Sequence, residues 1–131
     1  MKHQIEQIRE FYRVFNIDKT VSECKDSDGN LSFDRVLLRV KLQIEELTEY
    51  REAAAQRDKV LILDALIDQL YILLGTAHEH GLDDLLEAAF NEVHRSNMSK
   101  LQEDGTPLIR DDGKILKGNN YTPPNLKQFF E

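Results

Sequence analysis

The chain has 131 residues, 40% hydrophobic and 31% charged, and its 24 Asp and Glu against 17 Lys and Arg leave a formal net charge of −7. That length suffices for one domain with its own core, and the single cysteine, Cys24, excludes a disulfide framework. The acidic balance disfavours a general nucleic-acid binder, and a charged start with no long apolar run leads us to expect a cytoplasmic protein forming one domain over residues 1–131.

From Gln4 to Phe15, Ile5, Ile8, Phe11, Tyr12 and Phe15 recur at spacings of three and four, which predicts a first amphipathic helix. Lys25-Asp-Ser-Asp-Gly-Asn30 is turn chemistry, and Ser32 is placed to cap a second helix running from Phe33 to about Gln56. A third is expected from Asp58 to His80, stopped by Gly81, and a fourth from Asp83 or Asp84 to about Lys100. Beyond Lys100, Leu108-Ile109 and Ile115-Leu116 flank Asp112-Gly113, which predicts a small β-hairpin. The segment after Gly118 must be extended at Pro123 and Pro124. The expected class is therefore all-α, a bundle of four to five helices over residues 1–100, with a short C-terminal β-hairpin and extended tail over 101–131.

Two of these helices break the ordinary pattern of a packed surface. Glu45, Glu46 and Glu49 share a wedge of about 100° on the second helix, and that face continues Leu38 and Leu42 while Val40, Ile44 and Leu47 fill the opposite side. The third helix is apolar nearly all round from Val60 to Ala77, yet holds Asp64 and Asp68 one turn apart. Carboxylates in such surroundings need a cation, either Lys and Arg from neighbouring helices or a divalent metal. Oxygen-only ligands favour Mg²⁺, with Mn²⁺ as a substitute, over zinc. A solvated acidic face or a structural salt-bridge cluster are the alternative readings.

On the fourth helix the apolar stripe Leu86, Ala89, Phe90 and Val93 gives way to Asn97 and Lys100, with His94 and Arg95 alongside. Further donors follow at Lys114, Lys117 and Tyr121. Acids first and cations later would together suit a metal-bound polyphosphate; a helix end in solvent is the plainer reading of the cations. Asp26-Ser-Asp28-Gly-Asn30 lacks the sixth-position Gly and twelfth-position Glu of a calcium loop, and His78-Glu-His80 lacks zincin spacing and reads as a helix end favoured by the dipole. Cys24 stands beside acidic residues, and a nucleophile role is not expected of it.

Glu45-Glu46-x-x-Glu49 followed by an acid pair on the next helix resembles the all-α nucleoside triphosphate pyrophosphohydrolases, the MazG-like and phosphoribosyl-ATP pyrophosphohydrolase-like proteins related to dimeric dUTPases. Glu92-Val-His-Arg-Ser-Asn-Met-Ser-Lys100, Asp112-Gly-Lys-Ile-Leu-Lys-Gly118 and Tyr121-x-Pro-Pro124 extend the likeness over nearly the whole chain. The resemblance implies acids that hold Mg²⁺ on a substrate's phosphates and water that releases a nucleoside monophosphate and pyrophosphate. The family's second motif is Glu-x-x-Asp, whereas here the first acid stands one step earlier at Asp64, on nearly the same helix face.

On this reading Glu45, Glu49 and Asp68 are the expected metal ligands with Asp64 assisting, and Glu46 orients or deprotonates the water. His94, Arg95, Asn97, Lys100, Lys114 and Lys117 are expected phosphate contacts, and Tyr121 a stacking surface for base or sugar. The expected activity is hydrolysis of a free (deoxy)nucleoside triphosphate in nucleotide-pool housecleaning. The alternatives are phosphoribosyl-ATP hydrolysis in histidine synthesis and a non-catalytic helical dimerisation module. Helices two and three are apolar on more sides than a four-helix monomer covers, so a homodimer or higher homo-oligomer is expected.

Overall fold

A computed structural model describes residues 1–131, which form five α-helices and no β-strand. Helix α1, Lys2–Val14, buries Ile5, Ile8 and Tyr12 of the stripe read from the sequence, while Phe15 falls just beyond the helix and is exposed. Asn16, left-handed at φ 58°, breaks the chain and starts α2, Ile17–Glu23, a helix too short to declare itself by periodicity. In the loop that follows, Asp26 Oδ1 accepts the backbone N–H groups of Asp28 and Asn30 at 2.9 Å, so this carboxylate closes its own turn.

Helices α3, Phe33–Gln56, and α4, Lys59–Glu79, have the extents expected of them. Ser32 caps α3 by accepting from Arg35 N–H, and Asp58 caps α4 by accepting from Val60 and Leu61 N–H. Only Arg57, left-handed at φ 58°, separates α3 from the Asp58 cap, so the two helices fold back on each other along their whole length. At the far end, Gly81 takes φ 70°, the conformation that ends a helix without a Cβ penalty.

The seam between α3 and α4 is polar. Glu79 is fully buried at its far end, where its carboxylate takes Arg35 Nε on one oxygen and Arg39 Nε, at 2.8 Å, on the other. Tyr12 of α1 donates its hydroxyl to Glu79 at 2.9 Å. Burial pushes the Tyr12 phenol well above its ordinary range, and the Glu79 charge adds to this against the opposing pull of Arg39. Arg39 also donates to Thr76 Oγ1 and to the Ile72 carbonyl. Gly75 makes room for this arrangement, because a Cβ there would stand 2.8 Å from the Tyr12 hydroxyl and 2.9 Å from Arg39 Nη2.

The apolar faces of the same helices turn outward. Ile44 is 55% exposed, Leu63 62% and Leu73 56%. By length and composition alone α4 is apolar enough to cross a bilayer, contrary to the sequence expectation. Beside the seam, His78 is more than a helix end: it bridges Asp18 of α2 at 2.9 Å and Asp83 at 2.8 Å. Burial alone would lower its pKa, but the two carboxylates together raise it.

The chain divides into two compact units, Met1–Asp84 and Leu85–Glu131. In the second unit, α5, Leu86–Met98, holds the tail through buried Ser96, which donates to the Thr122 carbonyl at 2.8 Å. The expected C-terminal β-hairpin is absent: a single antiparallel bridge, Ile109 to Ile115, forms around Gly113, and no strand extends from it. Ile109 and Ile115 are 53% and 45% exposed, so no buried face supports longer pairing, and Pro107 cannot donate to a ladder. After the prolines the tail turns into a 3₁₀ segment, Leu126–Phe130, where extension alone was expected.

Removing one member of a buried ion pair leaves its partners uncompensated. The substitution Glu79→Gln is expected to cost about 3 kcal/mol, read as a lower midpoint of urea unfolding at unchanged slope.

Candidate functional site

Midway along the seam, Glu46 and Glu49 of α3 meet Asp68 of α4, with one carboxylate oxygen from each lying within 4.8 Å of the others. The register follows from the seam itself. Arg35, Arg39, Leu42, Glu46, Glu49 and Ala53 recur on α3 at steps of three and four, and Ala65, Asp68, Ile72, Gly75 and Glu79 do so on α4. The small residues Ala53 and Ala65, 4% and 2% exposed, let the two helices approach closely beside the acids.

This membership differs from the expected ligand set. Glu46 stands where Glu45 was expected, because position 46 is on the side of α3 that faces α4, while Glu45 is exposed and outside the group. Asp64 is likewise exposed and outside it, because the α4 position facing the seam one turn before Asp68 is the buried Ala65. Asp64 instead lines, with Glu49 and Glu52, a cavity of about 260 Å³ between the acids and the Arg57–Asp58 turn.

Three carboxylates at this distance repel. Partial burial, then the charges of Glu49 and Asp68, push the Glu46 carboxyl above its usual range, and its buried Oε2 has no hydrogen-bond partner. An orphaned carboxylate oxygen on a member of an all-oxygen cluster is what a hard divalent cation satisfies, so the residues present fit Mg²⁺.

On the other side of the acids lies a larger cavity, about 500 Å³, walled by Phe11, Leu42, Tyr71 and Ile72 and reaching Arg35 and Arg39. Neither arginine stands out as a candidate in the sequence. The signal was present, since both extend the acidic face of α3 by successive helical turns and Glu79 stands in the corresponding row of α4.

The expected phosphate contacts all fall in the second unit. Asn97 and Lys100 share a cavity of about 360 Å³ with Pro107 and Ile115, and His94 and Lys114 are exposed. Arg95 is engaged structurally: it grips Glu92 with two 2.8 Å hydrogen bonds and donates to Thr122 Oγ1 at 2.7 Å. That guanidinium, with the Asn125 N–H, holds the Glu92 carboxyl down to about 2. Lys117 lies over the Tyr121 ring, 4.7 Å from its centre, so these two residues occupy each other.

The family model described as phosphoribosyl-ATP pyrophosphohydrolase matches residues 8–97, more than half of the chain, with both seam helices inside the match. The chain belongs to the phosphoribosyl-ATP pyrophosphohydrolase family. No curated protein matches it. The family lies within the all-α nucleoside triphosphate pyrophosphatase superfamily, so the protein is a hydrolase acting on the pyrophosphate bond of a triphosphate. It is a family of soluble biosynthetic enzymes, generally Mg²⁺-dependent, and the Glu46–Glu49–Asp68 group can bind such an ion. Family membership favours phosphoribosyl-ATP over the free nucleotide that the sequence analysis put first.

Replacing one repelling carboxylate relieves the cluster and weakens its hold on metal. Glu46→Gln is expected to raise the melting temperature of the metal-free protein and to weaken Mg²⁺ binding more than about tenfold in calorimetry. In the unsubstituted protein, metal affinity should fall as pH drops through the raised Glu46 pKa, because the protonated carboxyl cannot ligate.

Proposed function

We propose that the protein hydrolyses the α–β phosphoanhydride of phosphoribosyl-ATP, releasing pyrophosphate and the corresponding monophosphate. The observation that carries this reading is the Glu46–Glu49–Asp68 cluster, with its unsatisfied buried oxygen, inside the span matched by the family model. Those three residues would hold Mg²⁺, which when bound would neutralise phosphate charge and favour deprotonation of the attacking water. The water's oxygen forms the new P–O bond, the bridging P–O bond breaks, and pyrophosphate leaves with the electron pair. Asp64, exposed in the cavity beside Glu49, orients the water and takes its proton, the role the sequence assigned to Glu46. Glu45 lies outside the cluster and contributes negative potential only.

Asn97, Lys100, Lys114 and His94 remain proposed phosphate contacts, while the Arg95 and Tyr121 side chains have structural partners already. A second reading, a free (deoxy)nucleoside triphosphate, is favoured by the position of Lys100, Lys114 and Lys117 beyond the matched residues. The outward apolar faces of α3 and α4 support a homodimer, since fully covering one leucine is worth about 2 kcal/mol and many such side chains stand bare. A cytoplasmic location agrees with the soluble family.

The test is pyrophosphate release, read apart from orthophosphate, from phosphoribosyl-ATP and from a panel of nucleoside triphosphates with Mg²⁺. We expect metal-dependent pyrophosphate that falls at least about a thousandfold in Glu49→Ala, from a species sedimenting at twice 15.2 kDa. Release of orthophosphate alone, or full activity in Glu49→Ala, contradicts the proposal.

A further inference from the structure

The 500 Å³ cavity beside the acids has no role in the hydrolytic step, yet its walls are chemically specific. Leu42 stands one turn before Glu46 on α3 and Ile72 one turn after Asp68 on α4, so the cavity begins where the carboxylates end. Its middle is aromatic: the rings of Phe11 and Tyr71 meet edge to face at 5.5 Å. Its far end is cationic. Two guanidiniums there share one carboxylate, leaving an excess of one positive charge on side chains only 12% and 11% exposed.

The two arginines are not equivalent. Arg39 is spent on Glu79, Thr76 and the Ile72 carbonyl. Arg35 touches Glu79 through Nε alone, and its Nη1 and Nη2 have no partner in the protein. A guanidinium whose base is fixed by a buried carboxylate and whose terminal nitrogens are free presents a pre-oriented fork for an anion. Along α3, Arg39 and Arg35 lie seven and eleven residues before Glu46, about 10 and 16 Å at the helical rise. A base alone would leave that far end empty; a base with a sugar phosphate on each side spans it.

We propose that this cavity receives the base of the substrate against Tyr71 and Phe11, and that Arg35 binds a second phosphoryl group, carried by a pentose attached to that base. The inference rests on the reading that the triphosphate lies at Glu46, Glu49 and Asp68, and it makes Arg35 the residue that distinguishes a doubly phosphorylated nucleotide such as phosphoribosyl-ATP from a simple nucleoside triphosphate. Arg35 is a binding residue and takes no part in bond cleavage.

The experiment measures KM for phosphoribosyl-ATP and for ATP in the full-length protein with Mg²⁺, for the native chain, Arg35→Gln and Thr20→Glu. Thr20 is exposed at the rim of the cavity and makes no side-chain hydrogen bond, so a carboxylate there repels a phosphate without removing a contact; melting curves check that each variant folds. The expected result is a preference for phosphoribosyl-ATP of at least about tenfold in KM that collapses toward unity in both variants. Absence of that preference, or its survival in both folded variants, overturns the inference. If pyrophosphate release stays dependent on Mg²⁺ and Glu49 while the preference is absent, the hydrolytic reading stands and this inference fails alone. If neither nucleotide is cleaved, the hydrolytic reading fails, and calorimetric affinities of the same two nucleotides decide the inference by the same tenfold criterion.

Discussion

The structure hangs on one buried carboxylate. Glu79 lies wholly out of solvent and is shared by Arg35, Arg39 and Tyr12, so α1, α3 and α4 meet at a single charged point. A carboxylate in that position is stable only if its cations are held in place, and the Arg39 bonds to the Ile72 carbonyl and Thr76 hydroxyl do so. With one end of the seam pinned by this cluster and the other by the Arg57–Asp58 turn, the register of α3 on α4 is set between them, and Glu46, Glu49 and Asp68 are brought together as a consequence. The repulsion among those acids is opposed by ion pairing elsewhere on the same two helices.

A polar seam reverses the usual assignment of faces. Ile44 and Leu47 of α3 and Leu63, Ile67 and Leu73 of α4 face outward, while Arg35, Arg39 and Glu79, which would solvate well, face each other. The same inversion explains why α4 is long and apolar enough to cross a bilayer while carrying Asp64 and Asp68 within it. The proposed homodimer would cover these faces with a second copy carrying the same ones.

Much of this was legible in the amino-acid sequence, and for identifiable reasons. The extents of α3 and α4 followed from Ser32, Asp58 and Gly81, whose capping roles are local. The acidic group was also visible, because five acids at helical spacing in apolar surroundings have few structural uses. Which of Glu45 and Glu46 joins it was not, since both lie within one turn of Glu49 and only the direction from which α4 approaches decides. Arg35, Arg39 and Glu79 were missed because each resembles a solvated charge until α4 is laid against α3. The β-hairpin was expected from turn chemistry at Asp112-Gly113, but a turn without a face to bury yields one bridge and no strand.

The central claim is that the seam presents Glu46, Glu49 and Asp68 as one oxygen cage. Anomalous diffraction from crystals grown with Mn²⁺ tests it without recourse to activity or to any substrate. The account predicts a peak within ligand distance, about 2.2 Å, of oxygens from all three residues. A peak held by Glu45 and Asp64, or a cluster that stays metal-free at millimolar Mn²⁺ while Glu46 is ionised, would contradict it.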